Sequence, residues 1–288
     1  MLIVIVCGAL LAVGIVLIVA WGGEPLVAPR LDGVPAGGAI AAASGMRRHA
    51  LGLRTYLWWA TLFTVIATAS TVLIVGAGGR LVMRALAMTS PEATGRITEA
   101  QATVGEISPE GTATYLLFGA LPFAFASALL YLIVEPWLPR GRLGGPVFGV
   151  TVFIAVSPFV DPLRAENIDF DLVGPGWLAI ALFGALSVAQ GAALAAIAGR
   201  LSRSLPIVSR HDWAPTAVGL LPAVVLLPVG ALLAIGALVA FALPRLVPDV
   251  LAMLASRGGV TAGRVLLVLA VALALPAFAA ATGSIWVR

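Results

Sequence analysis

Seven long apolar runs, separated by short stretches that collect nearly all of the charge, set the pattern of this 288-residue chain. The runs cover 1–21, 55–79, 113–134, 145–160, 175–199, 216–243 and 264–284. About 20 apolar residues suffice to cross a hydrocarbon layer roughly 30 Å thick, because an α-helix rises about 1.5 Å per residue. That layer offers no water to backbone N–H and C=O groups, so each run is expected to be helical. The fourth run is the shortest, while the sixth is long and carries Pro222 and Pro228, which predicts a kink or tilt. The first run lacks a basic leader and exceeds the apolar core of a signal peptide, so it is expected to remain as a helix.

The pattern therefore predicts an all-α, polytopic integral membrane helical bundle of about seven transmembrane helices. Its parts are a first transmembrane helix at 1–21, a cytoplasmic Gly/Ala/Arg-rich connection at 22–54, and a six-helix membrane bundle over 55–288. Outward acidic loops fall at 80–112 and 161–174. Orientation follows from arginine placement, since basic residues are retained on the cytoplasmic side. The connections 22–54, 135–144 and 200–215 and the C-terminal end hold ten Arg against four acids, Glu24, Asp32, Glu135 and Asp212. The alternate set holds seven Arg against nine acids. With an odd number of spans, the N-terminus is expected outside and the C-terminus inside. Trp21, Tyr56, Trp58, Trp59, Tyr131, Trp137, Trp177, Trp213 and Trp286 all fall near proposed span ends, where amphipathic rings anchor at headgroup depth.

Composition narrows the class further. Only 10% of residues are charged and 61% are hydrophobic, too apolar for a water-exposed surface, which needs roughly a quarter charged residues. The pI near 10.2 fits cytoplasmic Arg beside anionic lipid. Nucleic acid is not an expected partner, because the basic 33–54 stretch lacks interleaved aromatics and a recognition fold. Cys7 is the only cysteine, which rules out an intrachain disulfide or a thiolate metal site. The chain has no Lys, so a retinal Schiff base has no amine to form on. No P-loop, HExxH or nucleophile elbow occurs, and IVGAGG at 74–79 is not a complete dinucleotide fingerprint.

Candidate chemistry is sparse. Apart from Arg264, the first residue of the last run, none of the formally charged residues lies inside a proposed span, and Gln190 is the strongest interior polar group. Its expected role is helix–helix hydrogen bonding, with a ligand or pore role as the alternative. A polar run, Thr61, Thr64, Thr68, Ser70 and Thr71, lies in the second span, with Ser127, Ser157 and Ser187 elsewhere. On the outward side, Arg80 and Arg84 are four apart, so a continuing helix presents both on one face, where two guanidinium forks suit a lipid phosphate. Snorkelling or acid pairing is the plainer account of them.

Asp161, flanked by prolines, and Asp169 and Asp171 form the other outward cluster. If the chain between the last two is extended, their carboxylates share a side and offer hard oxygens to a divalent cation or weak candidates for catalysis. A solvated or salt-bridged loop is the favoured reading. Ser-Pro-Glu at 90–92 and again at 108–110 is expected to open short helices with an acid in the first turn. LFGALPFAFASAL at 117–129 aligns with LFGALSVAQGAAL at 182–194, a faint parallel repeat that chance and small-residue packing also explain.

The functional expectation is a noncatalytic integral-membrane accessory or structural component of a larger assembly. Its partners are membrane lipids and other membrane protein subunits, without cofactor or metal. The expected location is the cell membrane, as a multi-pass bacterial inner-membrane protein. The alternatives are a transporter or channel for a small solute or lipid, and a membrane enzyme acting on a lipid or lipid-linked substrate at the outward face.

Overall fold

The computed structural model describes residues 2–31, 33–99, 102–160, 163–209 and 212–287. The fold is all-α apart from one antiparallel pair of two-residue strands, β1 (Arg30–Leu31) and β2 (Val34–Pro35). Among the described residues, six helices are long and apolar enough to cross a membrane: α1 (Leu2–Trp21), α3 (Gly45–Met88), α4 (Pro109–Trp137), α5 (Gly141–Phe159), α6 (Gly176–Ser204) and α10 (Arg257–Trp286). The shorter helices are α2 (Ala36–Ala42), α7 (Ala214–Val225), α8 (Leu227–Ala242) and α9 (Leu246–Ala255).

Helix α3 is continuous over 44 residues, ten before and nine after the second apolar run. At about 1.5 Å per residue it reaches roughly 65 Å, twice the hydrocarbon thickness, so it projects beyond the layer at both ends. Its backbone loosens into a π-helical turn at Thr71–Gly76, and α4 does the same at Tyr115–Ala120. Such turns accommodate an extra residue without breaking the helix. The main core lies where α3, α4, α5 and α6 meet, around Trp58, Leu62, Ile66, Phe125, Phe148 and Leu194.

Backbone proximity is greatest between α5 and α6. Gly145 and Gly149, one turn apart, lie directly against the backbone of Gly191 and Ser187. A Cβ on Gly149 would sit 2.3 Å from the Ser187 carbonyl oxygen, so only glycine permits this approach. The Ser187 hydroxyl uses the closeness to donate to the Gly149 carbonyl at 2.9 Å. Small residues spaced by four are the usual means by which membrane helices gain contact when lipid is as apolar as their side chains.

The expected seven-span path changes at the sixth apolar run. Residues 216–243 are not one helix: the chain leaves helical geometry at Leu226, two residues before Pro228, and bends by 96° between α8 and α9. Both α7 and α8 pack on the first half of α3, Gly219 against Thr61 and Val65, and Gly236 against Tyr56. Further along α8, the Ala240 carbonyl and Pro244 lie against Gly52, and Phe241 meets His49. The segment thus enters beside α3 and returns to the end it came from.

Contacts fix which connections share an end. Glu24 faces Arg200 and Arg203, Gly23 abuts Arg142, and the Trp58 indole donates to Leu205 O. Arg245 donates to Ala41 O, Pro248 meets Gly37, Trp137 donates to Leu254 O, and Arg264 donates to Trp137 O. The 244–263 stretch, expected opposite 22–54, therefore lies with it. Helix α10 starts at this end and finishes with Ile285 against Gly176, beside the acidic loops, so Leu2 and Trp286 share one end of the bundle.

This arrangement sharpens the charge asymmetry. Among the described residues, one end carries eleven Arg (30, 47, 48, 54, 140, 142, 200, 203, 245, 257 and 264) and four acids (24, 135, 212 and 249). The other carries four Arg (80, 84, 96 and 164) and seven acids (92, 99, 106, 110, 166, 169 and 171).

The packing of α5 on α6 has a direct test. Gly149→Ala should force the two backbones apart and destabilise the fold by roughly 1–3 kcal/mol, the usual range for overpacking. Gly8→Ala, whose Cβ meets open space inside helix α1, should not destabilise the fold and should raise stability by up to about 1 kcal/mol. Thermal unfolding of both variants in detergent measures the difference.

Candidate functional site

The acidic end is built by two loops that meet. Chain 89–108 leaves α3 and chain 160–175 leaves α5. Ser90, nearly fully buried, joins them by donating to Gly174 O at 3.1 Å while accepting from Gly174 N–H at 2.9 Å. The two Ser-Pro-Glu sequences serve differently here. Ser108 caps α4 by accepting from Gly111 N–H at 3.0 Å, with Pro109 and Glu110 in the first turn. Ser90 precedes a single short turn at Pro91–Ala93, and its hydroxyl turns instead to the neighbouring loop.

A second junction lies beside the first. The Asp169 carboxylate accepts from Glu99 N–H at 2.7 Å, and the Glu99 carboxylate pairs with the Arg164 guanidinium. Asn167 caps the turn that holds Asp169 by accepting its N–H at 2.9 Å. That turn, Ile168–Asp171, is a 3₁₀ helix rather than an extended strand. At three residues per turn, Asp169 and Asp171 leave it in different directions, so the shared side expected from an extended chain does not form. Asp161 lies outside the described residues.

Arg80 and Arg84 do occupy one continuous helix, as their spacing requires, but they engage different parts of the chain. Arg80 is 9% exposed and sits within the bundle. Its Nη2 donates to Thr112 Oγ1 at 3.0 Å, and its guanidinium lies 5.4 Å from the centre of the Tyr115 ring, a cation–π contact. Tyr115 in turn donates to Val75 O at 2.9 Å, the carbonyl of the π-helical turn in α3. Arg84 donates to Gly105 O at 3.2 Å. The pair therefore ties α4 and the intervening loop onto α3, and Thr112 and Tyr115 are partners that spacing alone did not disclose.

Gln190 lies in the interior at the junction of three helices. Its amide nitrogen donates to Ser70 Oγ of α3 at 3.0 Å and Ser127 Oγ of α4 at 3.3 Å. Each serine hydroxyl passes its own proton to a carbonyl within its helix, Ala67 O and Ala124 O. The amide oxygen is buried and has no hydrogen-bond partner among the described residues. Thr61, Thr64 and Thr71 each donate to the carbonyl four residues back. The polar run of the second span is thus mostly absorbed by its own helix, while Ser70 serves the neighbouring one.

Several interface aromatics prove to be internal donors. Trp58 is 1% exposed and its indole takes the last carbonyl region of α6; Trp137 does the same for α9, and Tyr56 donates to Leu233 O at 2.9 Å. Trp177, Trp213 and Trp286 are exposed, as headgroup anchoring requires. No known family, curated protein or solved structure matches this chain.

Two substitutions separate architecture from chemistry at these positions. Ser90→Ala should cost about 1–3 kcal/mol, because the Gly174 N–H loses its acceptor and the Gly174 carbonyl keeps only Thr89 Oγ1, and should raise hydrogen exchange across 163–174. Gln190→Met should shift stability by less than about 1.7 kcal/mol, the upper range for interhelical side-chain hydrogen bonds in membranes. Chemical or thermal unfolding in detergent measures both.

Proposed function

We propose that this chain is a noncatalytic multi-pass membrane component that works by assembling with another polypeptide. The observation that carries the reading is how its reactive side chains are spent. Asp169 is committed to Glu99 N–H, Glu99 to Arg164, Arg84 to Gly105 and the Gln190 amide to two serines. Each joins one part of the chain to another. Meanwhile the long outer helices α1 and α10 present rows of uncovered apolar side chains, including Ile5, Val16, Val268 and Leu273, available to lipid and to a neighbouring helix.

The topology proposed with this function is six crossings and one re-entrant segment, α7–α8, in the cell membrane of a bacterium. The arginine-rich end faces the cytoplasm, and Leu2 and Trp286 both face outward. Returning 244–263 to the arginine-rich end supports this orientation, since it removes Arg245, Arg257 and Arg264 from the outward count. A transporter or channel is the second reading, favoured by the re-entrant segment beside α3 and by the amide oxygen of Gln190, which has no partner among the described residues. The outward-face enzyme draws little support from Arg80, whose guanidinium is held inside the bundle by Thr112 and Tyr115.

The topology is tested by cysteine labelling in sealed cells, with Cys7 replaced. Thr94→Cys and Glu166→Cys should react from outside, and Asp249→Cys only after permeabilisation. External labelling at 249 would restore a seventh crossing. For assembly, crosslinking in native membranes should capture a second polypeptide species bound to this chain. Full solute flux through a reconstituted monomer would favour transport and overturn the accessory reading.

A further inference from the structure

The sharp bend between α8 and α9 borders an open hollow of about 440 Å³ at the arginine-rich end. Its walls bring together Arg48 and His49 from the first turn of α3 and Arg245 from the bend itself, with Leu243, Pro244 and Leu246 opposite them. We propose that this cavity binds a phosphate group, with the glycerol and acyl portion of an anionic phospholipid lying along its apolar wall.

Three observations support that assignment. First, every ionisable side chain lining the cavity is basic. Second, each is oriented by a hydrogen bond to a backbone carbonyl, and the His49 ring also packs against the Phe241 ring, with centroids 5.4 Å apart. Arg48 Nε donates to Ala43 O at 2.8 Å, one Arg245 Nη donates to Ala41 O at 3.4 Å, and His49 Nδ1 meets Phe241 O at 2.6 Å. These carbonyls close the C-terminal ends of α2 and α8, which lack successors to take them. Each guanidinium keeps further N–H donors in a planar fork suited to phosphate oxygens. With the carbonyl occupying Nδ1, the His49 ring has Nε2 as its remaining polar atom.

Third, the opposite wall is apolar and uncovered, with Leu243 57% and Leu246 43% exposed. A free phosphate has no use for such a wall, whereas a lipid does. The 96° bend between α8 and α9 adds to this. It carries α9 across the direction of α8, and α9 exposes Leu246, Val250 and Met253, as an interfacial helix does. The cavity thus lies where a headgroup and the upper part of its chains meet. This inference concerns lipid binding by the single chain and stands whether or not the chain assembles with another polypeptide.

The test uses the full-length protein in an uncharged detergent, titrated with dioleoylphosphatidylglycerol and, separately, with dioleoylphosphatidylcholine. Native mass spectrometry reads the apparent dissociation constant of the tightest lipid. Phosphatidylglycerol should bind more tightly, and the Arg48→Gln/Arg245→Gln variant should weaken it roughly thirtyfold, about fivefold for each cation removed near an anionic lipid. Arg30→Gln/Arg257→Gln removes the same charge from exposed positions at the same end and should leave binding nearly unchanged. Leu243→Trp fills the cavity while leaving both arginines and their hydrogen bonds in place, so it decides the matter if the double variant unfolds; it should also lose the lipid. Millimolar inorganic phosphate that displaces the lipid would assign the site to free phosphate as well, and phosphate without effect would assign it to lipid alone. Equal weakening in the two arginine pairs, or wild-type lipid affinity in Leu243→Trp, would overturn the proposal.

Discussion

Helix ends govern this structure. The last carbonyls of a helix have no partner within it, and in or near hydrocarbon they cannot rely on water. At the arginine-rich end the chain answers with side-chain donors from other helices. Trp58 takes Leu205 O after α6, His49 takes Phe241 O at the end of α8, and Trp137 takes Leu254 O at the end of α9. Arg48 and Arg245 reach the carbonyls that close α2, and Arg264 takes the carbonyl of Trp137 itself. Arg54 adds Val208 O in the connection after α6. Cations and indole N–H groups suit this role twice over, as donors and, for the arginines, as charges facing the negative end of a helix dipole. Residues that look like membrane anchors are therefore also the joints between helices.

The same constraint explains why the chain tolerates breaks at Leu226 and Leu243. A broken helix inside a membrane is admissible only where protein covers the released backbone groups. Here α3 provides the cover along its first five turns, with Gly52 allowing Pro244 to lie against it and Tyr56 donating to Leu233 O. The opposite end uses another device. There the loops are held by short polar junctions, Ser90 to Gly174 and Asp169 to Glu99, which lie outside the apolar runs and need no large buried surface.

The helical class was legible because apolar length is a local property, and six of the seven runs reappear, with shifted limits, as helices long and apolar enough to cross a membrane. Run 55–79 extends at both ends because Arg47, Arg48 and Arg84 are tolerated where the helix projects from the hydrocarbon. The path of 216–243 was not legible from length, since 28 apolar residues are enough to cross. Two local signals did point to it: Pro222 and Pro228 within the run, and three arginines, 245, 257 and 264, left on the outward side of the charge count. Gln190 could be recognised as a buried polar group from its neighbours in sequence. Ser70 and Ser127 could not be named as its partners, because that depends on how three helices are rotated about their axes. Likewise, the spacing of Asp169 and Asp171 is compatible with either a strand or a 3₁₀ turn, and only the loop's tertiary contacts choose between them.

The return of α7–α8 has a consequence for biogenesis. While this segment emerges from the ribosome, its hydrophobicity alone favours insertion as another complete span. In the proposed orientation, retention of Arg245, Arg257 and Arg264 on the side of synthesis would oppose that outcome, and α3, made earlier, offers the seat along Gly52 and Tyr56 for the returning helix. The direction in which α10 then inserts depends on this competition. In the proposed orientation, a handful of residues between 245 and 264 would decide on which side Trp286 emerges, so their charge would bear on the direction of the final helix as well as on the packing.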